Sequence, residues 1–84
     1  YPNPFNPSIS IPFSLGAPGR ARIAVFDVRG RLVRKLFRGH LPPDGQSLVW
    51  DGIDDGGRPA PSGVYFVVMT TAGGPTAGRI VLAR

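Results

Sequence analysis

The chain repeatedly alternates apolar and polar residues, which is the pattern of a β-strand with one buried face. Residues 8–15 show it most clearly, because one face is entirely apolar and the other carries serines and a proline. The apolar positions are Ile9, Ile11, Phe13 and Leu15. Pro12 has no N–H to donate to a neighbouring strand, so this strand is predicted to lie at the edge of a sheet.

The second and third predicted strands are joined by a tight turn. Residues 20–26 alternate again, and Asp27 and Gly30 then take the first and fourth positions of a type I turn. In residues 31–37 the apolar positions are less regular and would also suit a helix. We predict a strand with a bulge, because a hairpin turn precedes this segment and its neighbours are strands.

Three further strands are predicted in the second half of the chain. Residues 47–50 form a short strand ending at Trp50, the single tryptophan, which the alternation places in the core. Residues 51–63 are the longest irregular stretch. Residues 64–71 are apolar on both faces and are predicted to form a central strand packed in the middle of the domain. Residues 76–83 then close the fold.

Six short strands with turn signals about every 8–12 residues are typical of a two-sheet sandwich. The other turns are predicted at residues 16–19, 41–45 and 72–75, and the proline-rich residues 1–7 add a seventh strand if they pair. We therefore predict one all-β domain over residues 1–84, an immunoglobulin-like or fibronectin III-like antiparallel sandwich. Its predicted core is supplied by Ile11, Phe13, Ile23, Val25, Trp50 and residues 64–71.

The composition narrows the class of protein. With 84 residues, of which 42% are hydrophobic, the chain builds one small globular core. It has no cysteine, so neither a disulfide nor a thiolate metal site supplements that core. No apolar run reaches the roughly 20 residues of a membrane-spanning helix, so no transmembrane segment is expected. The chain opens at Tyr1 with a motif already under way, and we expect a processed piece or an excised domain.

The charge is strongly basic, with a net charge of +5 that comes mainly from arginine. Arg20 and Arg22 fall on outward positions of the second strand, and a denser basic cluster occupies residues 29–38. Such a cluster could bind nucleic acid or another anionic polymer. It contains no aromatic stacking motif, so we interpret it as a solvated face and expect no nucleic-acid partner.

One acidic cluster is a candidate metal site. Asp51, Asp54 and Asp55 stand within five residues and could hold calcium. The helix–loop–helix calcium motif fails here, because its third position would be Ile53 and its twelfth Ser62. We interpret the aspartates as acceptors for nearby backbone N–H groups in turns, and we predict neither a metal nor another cofactor.

Catalytic constellations are not found in the sequence. His40 is the single histidine and is predicted to be exposed beside Gly39 in a turn. Without a second imidazole or a cysteine, no ordinary zinc site or nucleophile–base pair can be assembled. No serine lies in a hydrolase elbow, and glycine-rich phosphate-binding motifs are absent. We therefore predict that the chain is not an enzyme and has no catalytic residue.

Four segments of the chain resemble a known family. They read YPNPFNPS at 1–8, VFDVRGRLVRKL at 25–36, WDGIDDGGRPAPSGVYF at 50–66 and GRIVLAR at 78–84. Together they resemble the type IX secretion system C-terminal (type A) sorting domain, and the middle segments also resemble the immunoglobulin-like domain of the flagellar hook-capping protein. The first resemblance implies a non-catalytic sorting and cell-surface-anchoring domain of a secreted bacterial protein, located outside the cell or on its surface.

The sorting interpretation also implies partner-binding residues. Outer-membrane secretion or anchoring proteins would recognise the closing strand and the opening segment by strand addition. These residues are Arg79, Ile80, Val81, Leu82, Ala83 and Arg84, together with Pro2, Asn3, Pro4 and Phe5. The closing strand of the sorting family is often lysine-rich, whereas this one carries arginines. The alternative is a structural module, an extracellular filament subunit or hook-cap-like domain, that self-associates through edge strands.

Overall fold

The computed structural model describes residues 8–13, 19–41 and 46–84, which form six β-strands. They are β1 (Ile9–Phe13), β2 (Gly19–Phe26), β3 (Leu32–Leu41), β4 (Gln46–Trp50), β5 (Gly63–Thr71) and β6 (Gly74–Leu82). Within these ranges there is no helix, and hence none able to cross a membrane. Residues 1–7, 14–18 and 42–45 lie outside the described residues. They comprise the proline-rich opening, the end of the first predicted strand and most of the predicted turns at 16–19 and 41–45.

The strands form two antiparallel sheets. β1 pairs with β4, and the larger sheet has the order β3-β2-β5-β6. This arrangement confirms the predicted all-β, immunoglobulin-like sandwich. Among the described strands β1 has β4 as its one neighbour, so Pro12 lies at a sheet edge as its missing N–H predicts.

The core lies between the two sheets, and every strand contributes to it. Trp50, at the end of β4, is fully buried and is the largest buried side chain among the described residues. The other buried apolar residues are Ile11, Ala21, Ile23, Val25, Leu41, Ala60, Tyr65, Val67 and Leu82. Four of the five individually predicted core residues are therefore confirmed, while Phe13 is half-buried and packs against the margin of the core.

β5 is a central strand, as predicted, because it pairs with both β2 and β6. Its Tyr65 and Val67 are buried in the core. Phe66 and Val68 point the other way and are half-buried on the outer face, the side of the four-stranded sheet that faces away from β1 and β4. The prediction that β5 is packed on both sides is wrong for this face, since no second layer of the described residues covers it.

β3 contains the predicted bulge and extends further than expected. Its pairing with β2 shifts register twice, which leaves Val33 and Leu36 without directly opposed partners. The two bulges explain why the apolar residues of this strand do not alternate regularly. β3 continues to Leu41, so His40 is exposed on a strand and the prediction of a turn there is wrong. Gly39 continues the strand opposite Ala21 instead of ending it.

The hairpin between β5 and β6 is tighter than the sequence suggested. Thr71 pairs directly with Gly74, so the turn consists of two residues, 72 and 73, and β6 begins earlier than predicted. Pro75 lies within β6, opposite Thr70. A proline is tolerated there because β6 is an edge strand of the described sheet. On the side away from β5, no described strand requires an N–H donor from β6.

Tyr65 fastens the start of β5 to the core. Its ring meets the Trp50 indole edge-on, with centroids 5.2 Å apart and an interplanar angle of 72°. Its hydroxyl donates a 2.6 Å hydrogen bond to the Pro61 carbonyl, four residues upstream. This is the arrangement of the tyrosine corner of immunoglobulin-like sandwiches. Burial raises the pKa of the Tyr65 phenol above its ordinary value, so the phenol keeps its proton and remains a donor.

The substitution Tyr65→Phe removes the hydroxyl and leaves the Pro61 carbonyl without this donor. We expect the free energy of unfolding to fall by about 1–2 kcal/mol, the typical cost of an unmade internal hydrogen bond. Urea denaturation followed by Trp50 fluorescence measures it. As a control, Thr76→Val deletes an exposed hydroxyl and should change stability by less than about 0.5 kcal/mol. Equal stabilities of the two variants would contradict the structural role of the Tyr65 hydroxyl.

Candidate functional site

The acidic cluster organises a loop by hydrogen bonds to the backbone. We call residues 51–60 the aspartate loop. Asp51 Oδ1 accepts the N–H of Ile53 at 3.0 Å, and Asp54 Oδ1 accepts those of Gly56 and Arg58, each at 2.9 Å. The predicted turn role of these two aspartates is therefore confirmed. In the described part of the chain, no three acidic or histidine side chains are grouped so that they could hold a metal ion.

Asp55 has a different role, because it joins the aspartate loop to β3. Its backbone N–H donates to the Val33 carbonyl at 2.9 Å, and its carboxylate accepts the Lys35 N–H at 3.1 Å. Arg34 reinforces the junction by donating from Nη1 to the carbonyls of Ile53 at 3.3 Å and Asp54 at 3.4 Å. The loop thus occupies backbone groups that the first part of β3 would otherwise present at the sheet edge.

The opposite end of the aspartate loop is fixed by Trp50 and Arg84. Trp50 Nε1 donates to the Ile53 carbonyl at 3.0 Å. The Arg84 guanidinium donates to the carbonyls of Ala60 at 2.6 Å and Gly52 at 2.5 Å. Arg84 also donates its backbone N–H to Ser62 Oγ at 3.0 Å. Sequence reasoning missed this role, because nothing in the local pattern connects Arg84 to carbonyls more than 20 residues away.

The predicted partner-binding residues of the closing strand do not share one environment. Arg79 and Ala83 are exposed, and Val81 exposes 60% of its surface. Leu82 is buried in the core and Ile80 is half-buried, so their side chains are turned away from any partner. The predicted contacts in the opening segment lie outside the described residues; they are Pro2, Asn3, Pro4 and Phe5. Partner binding by either segment stays a prediction.

The basic cluster is divided by the fold. Asp27 Oδ1 accepts the N–H groups of Arg29 and Arg31, each at 2.9 Å, and its other oxygen pairs with Arg31 Nε at 3.2 Å. The Arg31 N–H, above all, holds the pKa of Asp27 below its ordinary value. Arg34 is half-buried against the aspartate loop. Arg29, Arg31, Lys35 and Arg38 are all exposed, so the cluster is largely solvated as predicted and Arg34 is the exception.

A depression of about 560 Å³ lies between the turn after β2 and the aspartate loop. It contains Asp27, Asp54 and Asp55. Each of these carboxylates already accepts at least one backbone N–H. Carboxylates held in this way stabilise a turn or a junction between elements.

The substitution Arg84→Lys keeps the charge but removes the planar fork that reaches two carbonyls. We expect the free energy of unfolding to fall by about 1–2 kcal/mol, because the Ala60 and Gly52 carbonyls lose directed donors. Urea denaturation measures the change. The matched control Arg79→Lys, on the exposed part of β6, should alter stability by less than about 0.5 kcal/mol. Equal effects at the two positions would exclude a structural role for the Arg84 side chain.

Comparison with known proteins identifies the family of this domain. The family model described as FlgD Ig-like domain matches residues 9–74, a range that runs from β1 to the first residue of β6. No curated protein and no solved structure matches the chain. The match confirms the hook-capping half of the resemblance, whose domain is structural and non-catalytic, while the sorting half stays a prediction. Because the match covers most of its length, the chain belongs to the FlgD Ig-like domain family.

Proposed function

We propose that this domain is a structural assembly module of the hook-cap type, which joins a second copy of itself by strand addition at the outer edge of β6, which pairs with no other described strand. The observation that carries the proposal is a difference between the two edges of the four-stranded sheet. The aspartate loop is bonded to the β3 edge at Val33 and Lys35. On β6, five consecutive residues from Pro75 to Arg79 are exposed.

The backbone of β6 presents hydrogen-bonding groups to this free edge. In an antiparallel ladder, successive residues direct their N–H and C=O groups alternately toward the partner strand and away from it. The two-residue turn places Gly74 in a hydrogen-bonded pair with Thr71, so Pro75, Ala77, Arg79 and Val81 face outward. Pro75 fits this assignment, since it has no N–H to give to β5.

Strand addition requires such a row of unpaired groups, and it draws its affinity from main-chain hydrogen bonds. β6 is nine residues long, whereas β1 and β4 each have five and offer shorter edges. Pro75 interrupts one end of the edge, which leaves residues 77–81 as the segment able to pair. Family membership supports a structural role, because the FlgD Ig-like domain is non-catalytic.

The substitution Ala77→Pro tests this proposal without breaking the ladder to β5, because the Ala77 N–H faces outward. We expect the wild-type domain to associate with increasing concentration, and the proline variant to sediment as a monomer at every concentration. Analytical ultracentrifugation measures both. The control Ala77→Ser keeps the N–H and should associate like the wild type. A wild-type domain that is strictly monomeric at high concentration would rule out self-association through β6.

A second candidate, the sorting and surface-anchoring function, is favoured by two motifs that lie outside the range of the family match. These are YPNPFNPS at residues 1–8 and GRIVLAR at residues 78–84. Under this proposal the same β6 edge is read by an outer-membrane partner of a secretion system. The domain would then act outside the cell or at its surface.

A reporter that carries the chain at its C-terminus, expressed in a bacterium with a type IX system, tests the sorting function. We expect Val81→Asp to retain the reporter in the periplasm, because a carboxylate would stand beside the edge that the partner must approach. Val49→Asp is the matched control, since Val49 on β4 exposes 63% of its surface and Val81 exposes 60%. Export of both variants at wild-type yield would eliminate the closing strand as a sorting signal.

A further inference from the structure

We propose that the outer face of the four-stranded sheet is a docking site for a protein segment with apolar residues followed by carboxylates. This face is a different surface from the β6 edge, so the inference holds whether or not strand addition occurs. The registers of β2 with β5 place their outward side chains in three cross-strand pairs. These are Phe26 with Phe66, Ala24 with Val68, and Arg22 with Thr70.

The middle of this face is a groove with an apolar floor. Ala24 is the smallest side chain in the three pairs; Phe26 is its outward neighbour along β2, and Val68 lies opposite it on β5. The groove has a volume of about 320 Å³ and is continued toward β3 by Leu32, which exposes 46% of its surface. Leu32 is exposed and Ala24, Phe26 and Val68 are half-buried, so this part of the sheet presents neighbouring apolar side chains to the solvent.

The groove is apolar at one end and cationic at the other. On β3, Lys35 lies opposite Ala24 and Arg38 lies opposite Arg22. All three cations are exposed, and no acidic side chain lines the groove. Among the described residues Arg22, Lys35 and Arg38 form no ion pair, in contrast to Arg31 and Arg34. Cations held together without partners attract carboxylates, and arginine can bind a carboxylate with two parallel hydrogen bonds.

This charge distribution selects the occupant. A second copy of the chain would bring a second set of the same three cations to this face and no carboxylate from the groove to pair with them, and the chain already carries a net charge of +5. A segment whose apolar side chains enter the groove beside Phe26 and Val68 places its carboxylates over Arg22 and Arg38. The groove volume suits a few side chains of such a segment. Attraction between these carboxylates and the two arginines also fixes the direction in which the segment lies along the sheet.

Two labelled peptides test the proposal. The first has two leucines followed by three glutamates, and the second has lysines in place of the glutamates. We expect only the glutamate peptide to bind, to shift the amide signals of β2 and β5 in NMR spectra, and to bind more weakly as salt rises. The double variant Lys35→Glu/Arg38→Glu should weaken its binding about tenfold or more, because two attractive charges become repulsive.

The double variant Arg29→Glu/Arg58→Glu is the matched control, since it changes net charge equally at exposed positions away from the groove. Its peptide affinity should stay close to that of the wild type. Ala24→Leu fills the groove without adding charge and should abolish binding while the NMR spectrum stays that of a folded domain. Retained binding in Ala24→Leu, or an equal loss in the two double variants, would overturn the proposal.

Two other occupants are distinguished by the same protein samples. Binding to phosphatidylglycerol vesicles without binding to the glutamate peptide would overturn the proposal in favour of a lipid surface. Self-association that Ala24→Leu abolishes would overturn it in favour of a second copy. Ala77→Pro changes the β6 edge and not the groove, so it should affect neither the vesicle result nor the self-association result. The failure of one proposal can therefore be told from the failure of the other.

Discussion

The burial of Trp50 is the interaction on which the rest of the structure depends. A fully buried tryptophan is worth about 3–5 kcal/mol relative to alanine, a large share of the stability of a domain this small. Its indole N–H must find an acceptor inside the fold, and it finds the Ile53 carbonyl. That hydrogen bond holds the chain where it turns back after β4, and the contacts of Asp51 and Arg84 hold the same part of the aspartate loop.

The position of this loop decides which edge of the larger sheet stays free. Turned back by Trp50, the loop places Asp55 against the β3 backbone, where two bulges already disturb the strand. Natural sheets protect their edges in these two ways, with a covering loop and with bulges. β6 has neither among the described residues, although Arg84 anchors the end of the chain that follows it. The β3 edge is therefore covered and the β6 edge is not because of contacts made by the aspartate loop, which belongs to neither strand.

The sequence predicts the features that follow from the two-residue alternation of a strand. It does not predict contacts between residues that are far apart in the chain. The alternation of β1 and β2 identifies Ile11, Ile23 and Val25 as core, because a strand exposes every second residue to the same side. The extension of β3 was missed because Gly39 looks like a turn residue, whereas here it lies within the strand at a φ of +154°. The contacts of Asp55 and Arg84 join residues more than 19 positions apart, so no local pattern could indicate them.

The free edge and the outer face are geometrically compatible sites. Arg79 of β6 lies opposite Phe66, so the cross-strand row that begins with Phe26 already extends across β5 to the edge. A strand added to β6 would lengthen each row by one residue and leave the groove over Ala24 uncovered, because backbone pairing occurs in the plane of the sheet. Side chains of the face, in contrast, make their contacts perpendicular to that plane. Assembly at the edge would therefore enlarge the surface that is offered to an acidic partner instead of competing for it.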